Sequence, residues 1–149
     1  MYLFRGDVPR EQFAARMPLP VRLGMRSPAG KKFLKAYPYE EAYLLDKALR
    51  FRRELTMPLV LLGGISDRAT IERAMALGFP YVAMARALLR EPDLVARYER
   101  EARSGATGGE RAGSARCIHC NECMPTIYDP AGTHCPVAAR EDQREEETV

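Results

Sequence analysis

The chain has 149 residues, 46% of them hydrophobic and 29% charged, a balance that suits one ordinary globular domain and excludes a disordered polymer. Its net charge of +3 is spread over Arg–Glu alternations such as residues 97–103, which read as solvated helix faces and argue against a nucleic-acid stripe. No apolar run approaches the roughly 18 to 20 residues that span a bilayer, and the start lacks the succession of a secretory signal, so a cytoplasmic protein without membrane contact is the expectation.

Residues 1–38 carry Pro9, Pro18, Pro20, Pro28 and Pro38 together with Gly24 and Gly30, so regular structure there is expected to be short. A brief helix over residues 9–17, with Asp7 as its N-cap, is the only element that the spacing predicts, because proline suits a first helical turn. The rest reads as an irregular excursion. Over residues 39–55 the apolar positions Ala42, Leu45, Leu49 and Phe51 recur at helical spacing, with Glu40 and Glu41 at the start and Arg50, Arg52 and Arg53 at the end, which predicts an amphipathic helix.

Residues 58–62 form a continuous apolar run that stops at Gly63-Gly64, the pattern of a strand buried on both faces of a parallel sheet. Ser66 or Asp67 then caps a helix that reaches Leu77 and ends at Gly78. Residues 81–84 repeat the buried-strand pattern, and Pro92-Asp93 opens a helix to about Arg103. This βαβα alternation with short connections is the mark of a parallel sheet or barrel. The glycines at one strand end let backbone N–H groups approach an anion, the following helix adds its positive end, and Ala85-Arg86 occupies the equivalent place one strand later. The alternative is a tight βα turn with Arg86 on the surface.

Residues 105–116, rich in Gly, Ser, Ala and Thr, read as a flexible linker. Then Cys117, Cys120, Cys123 and Cys135 give C-x2-C-x2-C-x11-C. Three thiolates at three-residue intervals are common in [4Fe–4S] sites; zinc, with His119 or His134 replacing a cysteine, and plain thiols are the alternatives. The charged, apolar-poor residues 138–149 are expected to be disordered.

Residues 58–93, PLVLLGGISDRATIERAMALGFPYVAMARALLREPD, resemble the last two βα units of the Old Yellow Enzyme-like NADH:flavin oxidoreductases, a group that includes 2,4-dienoyl-CoA reductases and trimethylamine dehydrogenase. The segment YPYEEAYLLDKALRFRREL is similar to the helix before them, and the likeness runs from Met1 to about Val137. It implies the C-terminal fragment of an FMN-binding (β/α)8 barrel over residues 1–104, a cysteine-rich segment over residues 117–137, and FMN phosphate contacts at Gly63, Gly64, Ala85 and Arg86. Ala85 stands where those proteins usually have glycine. The likeness also implies a [4Fe–4S] centre on the four cysteines, NAD(P)H as reductant and a small-molecule acceptor such as an electron-poor alkene.

A closed barrel of this type takes about 250 residues and eight strands. The chain supplies two clear strands, so a complementary barrel fragment or a homo-oligomer is an expected partner. The family's proton-donating residues lie before the part that this chain resembles, and no catalytic residue is assigned here. The rival expectation is a non-enzymatic metal-binding or interaction module, or an inactive remnant.

Overall fold

A computed structural model describes residues 5–28, 30, 36–105 and 113–147. It divides into two compact units, one made of Met1–Pro38 with Ile118–Val149 and the other of Tyr39–Cys117. The N-terminal residues therefore group with the cysteine-rich segment, and not with the βα units as a single 1–104 domain would have them.

In the Tyr39–Cys117 unit, helix α3 (Leu45–Glu54) leads to β1 (Val60–Leu62), α4 (Arg68–Ala76), β2 (Tyr81–Ala83), the short α5 (Arg86–Arg90) and α6 (Leu94–Ser104). The strands pair in parallel, with Val60 opposite Tyr81, Leu61 opposite Val82 and Leu62 opposite Ala83. Alternate side chains leave a strand on opposite faces. Leu61 joins Leu45, Ile65, Ala74 and Phe79 in the core, and Leu59, Val82 and Met84 pack against them. A second cluster of Ala87, Leu94 and Tyr98 shares Met84 and Ile71 with the first. Helices α3 and α4 thus cover one face of the sheet, and α6 packs beside α4 through the second cluster.

The side chains of the opposite face are about half exposed or more. Val60, Leu62 and Tyr81 are 51%, 49% and 63% exposed, which corrects the expectation of strands buried on both faces. The apolar run was read as two-sided cover, but the described helices supply only one layer.

The helix expected over residues 39–55 starts later, at Leu45. Ala42 adopts a positive φ of 50° and gives its N–H to the Gly64 carbonyl at 2.8 Å, so the preceding turn is bound to the glycine loop and is not free to wind into the helix. The α4 helix ends as expected, with Gly78 at φ 87°. The linker reading fails for residues 113–116, while residues 106–112 lie outside the described part. The Arg68 N–H donates to the Gly113 carbonyl at 2.7 Å and the Ala115 N–H to the Ser66 carbonyl at 3.2 Å. Arg97 donates to the Ser114 carbonyl at 2.8 Å. The buried Glu91 carboxylate accepts the Arg116 N–H at 2.5 Å and Arg97 Nε at 3.1 Å.

In the other unit, α1 (Arg10–Ala15) is capped at Pro9 with no side-chain bond, so Asp7 is not its cap. Helix α2 (Leu19–Arg26) fills what was read as an irregular stretch; Pro18 is its N-cap and Pro20 lies in its first turn, where a missing N–H costs nothing. Residues 138–146 of the expected disordered tail are instead helical, as part of α7 (Pro136–Glu146). Pro136 again stands at the start, and the Glu, Arg and Gln that follow are good helix formers. Among the described residues, no helix is long and apolar enough to cross a membrane.

Candidate functional site

The parallel register fixes the geometry of the strand ends. Because Leu62 lies opposite Ala83, the Gly63-Gly64 turn and the segment from Met84 to Arg86 leave the sheet side by side, at its C-terminal edge. Gly63 and Gly64 have φ of 109° and 72°, the left-handed region that suits glycine. A Cβ on Gly64 would lie 2.7 Å from the Glu40 carbonyl oxygen and 2.9 Å from the Tyr43 ring, and one on Gly63 would lie 2.8 Å from Leu44 Cγ. The glycines therefore also let the turn before α3 press onto the loop. Ala85 has φ −120°, outside the left-handed region that favours glycine, and it is exposed. Arg86 is half-buried and is the first residue of α5.

The two backbone N–H groups just before α4, those of Ser66 and Asp67, already have an acceptor. Asp67 occupies the N-cap position of α4 but makes no side-chain capping bond. The Glu41 carboxylate takes that place: it accepts the Ser66 N–H at 2.7 Å, the Asp67 N–H at 3.0 Å and the Ser66 hydroxyl at 2.7 Å. The Tyr39 hydroxyl lies against the same carboxylate and within 3.0 Å of the Gly64 carbonyl and 2.8 Å of Ser66 Oγ. Burial pushes the Glu41 carboxyl up, but the Ser66 N–H, the Tyr39 hydroxyl, the Asp67 N–H and the Ser66 hydroxyl together hold it below the ordinary carboxylate value. Burial, and then the hydrogen bond to Glu41, raises the Tyr39 phenol, which stays a protonated donor.

Sequence reasoning missed the contacts among Tyr39, Glu41 and Ser66. Glu41 was read as a helix-dipole partner within its own helix, and nothing in a local pattern shows a contact to residues 25 and 26 positions away. Tyr98 was also unmarked; its hydroxyl donates to the Ser66 carbonyl, and burial pushes the phenol up to about 12.

The cysteine segment is shaped by backbone reversals and buried bonds. His119 and Asn121 both have positive φ, 58° and 59°, which bends the chain twice between Cys117 and Cys123. The Asn121 amide donates to the carbonyls of Asp7 at 2.7 Å and Arg5 at 3.2 Å. The buried Thr126 hydroxyl donates to the Cys123 carbonyl at 2.7 Å and accepts the His134 N–H at 3.0 Å, so the return loop that carries Cys135 is tied to the limb that carries Cys123. None of the four cysteines is in a disulfide; Cys123 is buried and the others are half-buried. Among the described residues, no three His, Cys, Asp or Glu side chains converge as a metal-holding group.

No protein-family model matches the chain, and no solved structure matches it. Over 137 residues it is 47% identical to 4,4'-dithiodibutanoate disulfide reductase of Rhodococcus erythropolis; the match covers 92% of this chain and 31% of that protein. The chain thus spans about a third of the length of a relative that is, by its name, an oxidoreductase acting on a disulfide.

Proposed function

We propose that the chain carries the phosphate-anchoring part of an FMN-dependent oxidoreductase that takes its electrons from NAD(P)H. The observation that supports this reading is the juxtaposition of Gly63-Gly64 and Arg86 at the ends of two in-register parallel strands. Backbone N–H groups and a guanidinium at neighbouring strand ends suit a phosphate, since Arg pairs with its oxygens through a planar fork. The relative's name supports the reaction class.

FMN, when bound, supplies the two-electron chemistry between reduced nicotinamide and acceptor. The residues of this chain bind and orient. Arg86 neutralises phosphate charge, the glycine turn lets the backbone approach, and the Tyr39–Glu41–Ser66 bonds hold that turn in place. A small organic disulfide is the acceptor class that the relative suggests: two electrons and two protons break the S–S bond and give two thiols, with NAD(P)H oxidised to NAD(P)+. An electron-poor alkene is the acceptor class that the family resemblance suggests. No electron step is assigned to the cysteine segment.

The test is a comparison of FMN with riboflavin, which lacks the phosphate. Amide NMR signals of Gly63, Gly64 and Arg86 are expected to move on addition of FMN and stay in place with riboflavin. Arg86→Ala should weaken FMN binding by about 10- to 100-fold, the worth of a hydrogen bond to a charged group. Equal responses to the two flavins, or unchanged affinity in the variant, would remove the phosphate role.

A further inference from the structure

No residue of helix α2 is buried, and its Leu19, Val21 and Leu23 are 67%, 48% and 60% exposed. A helix of two turns is marginal in water unless an apolar face is packed, so α2 gains most from a surface that covers these side chains.

The helix sorts its residues by chemistry. In LPVRLGMR, Leu19 and Leu23 stand four residues apart on one line, and Arg22 and Arg26 form the next line beside it. Both arginines are exposed. Among the described residues neither has a carboxylate partner, whereas Arg16 in the helix connection is paired with Asp129. The surrounding sequence has the same sign: the first 38 residues hold eight Lys and Arg against two Asp and Glu. Their net charge of +6 exceeds the +3 of the whole chain, so the excess positive charge is concentrated in this segment. Lys31, Lys32 and Lys35, which contribute to it, lie outside the described residues.

We propose that α2 is an interfacial anchor for an anionic lipid surface, in which Leu19 and Leu23 sink below the headgroups while Arg22 and Arg26 reach the lipid phosphates. Helices that lie in the membrane plane combine an apolar side with a basic one. Long arginine stems keep the charge among the headgroups while apolar neighbours go deeper, and each basic residue near such a surface adds an attraction that salt screens. A helix held in a protein groove keeps a polar back toward water; α2 has no polar side chain apart from its arginines. The contact is peripheral, since no described helix is long and apolar enough to cross a membrane. It departs from the expectation of a protein without membrane contact, and it is independent of the flavin reading.

The experiment mixes the full chain with vesicles of phosphatidylcholine, or of equimolar phosphatidylcholine and phosphatidylglycerol, and follows co-sedimentation. Expected is at least tenfold stronger binding to the anionic vesicles, lost in high salt. The chain has no Trp, so Leu23→Trp places a reporter at an exposed position, and its emission should move to the blue on anionic vesicles alone. Leu19→Asp with Leu23→Asp should weaken sedimentation at least tenfold, and Arg22→Gln with Arg26→Gln should remove most of the preference for anionic vesicles, both with unchanged circular dichroism in solution. Where a charged variant loses its fold, the Trp reporter decides alone. Absence of binding to anionic vesicles overturns the proposal, as do equal binding to both vesicles, an unshifted Trp emission, or folded variants that sediment like the parent. Capture by soluble polyglutamate without binding to vesicles points to an acidic protein partner and also overturns it.

Discussion

Glu41 binds both donors of Ser66, the backbone N–H and the hydroxyl, each at 2.7 Å. A side chain that precedes one helix thereby caps the next, and the Gly63-Gly64 turn is held between them. Glu41→Ala leaves the N–H of the buried Ser66 without an acceptor. Loss of such a partner costs about 2 kcal/mol, which chemical denaturation should register as a lower midpoint with an unchanged slope.

The same pair sets an acid limb. The folded Glu41 carboxyl lies below its ordinary value of 4.5, so the unfolded chain binds the proton more readily. Its stabilisation is present in full above the ordinary value and is lost as the pH falls through the lowered one. Glu101, held down first by its hydrogen bond to Arg97, and Asp129, held down first by the Ala131 N–H, act in the same direction. Glu41→Gln should flatten the fall in stability below about pH 4.5 relative to the parent, as followed by thermal melts across that range.

Glycine substitutions should separate the loop from the periphery. Gly64→Ala meets a backbone carbonyl at 2.7 Å with φ at 72° and is expected to cost more than about 2 kcal/mol, the left-handed penalty and the clash together. Gly24→Ala, inside α2 with nothing within 4 Å, should stabilise by about 0.5 to 1 kcal/mol, because alanine is the better helix former. Melting curves of the two variants are expected to move in opposite directions.

Glu91 is 5% exposed and holds Arg97 and the Arg116 N–H. Glu91→Ala should cost about 3 kcal/mol, near the lower end for a broken buried pair, since Arg97 keeps Glu101 at 2.7 Å. Hydrogen exchange at residues 113–116 should rise in the variant, as measured by mass spectrometry.

Thiol labelling should be uneven. Cys117, Cys120 and Cys135 are half-buried and Cys123 is buried, so a small alkylating reagent should modify Cys123 last. Uniform protection of all four in anaerobically prepared protein would instead show a closed metal centre of the kind that the spacing predicts.

The strands, the α4 helix and its glycine stop were legible, because apolar runs between punctuating glycines carry local information. The one-sided cover was not: Val60 and Leu62 read the same whether or not a second layer exists. Helix α2 is not legible from composition, because Pro18 and Pro20 stand at its N-cap and in its first turn, where proline does not break a helix. Of the candidate site, Gly63, Gly64, Ala85 and Arg86 were visible as strand-end residues. The bonds from the Ser66 and Asp67 N–H groups, just before α4, to Glu41 depend on a contact across 25 positions, which no periodicity reports.

The Thr126 hydroxyl joins the two limbs of the cysteine loop through an uncharged group. Neither protonation near neutrality nor a change in the oxidation state of sulfur alters that link. The limb that carries Cys123 and the return loop that leads to Cys135 are therefore held together by a bond that involves neither thiol.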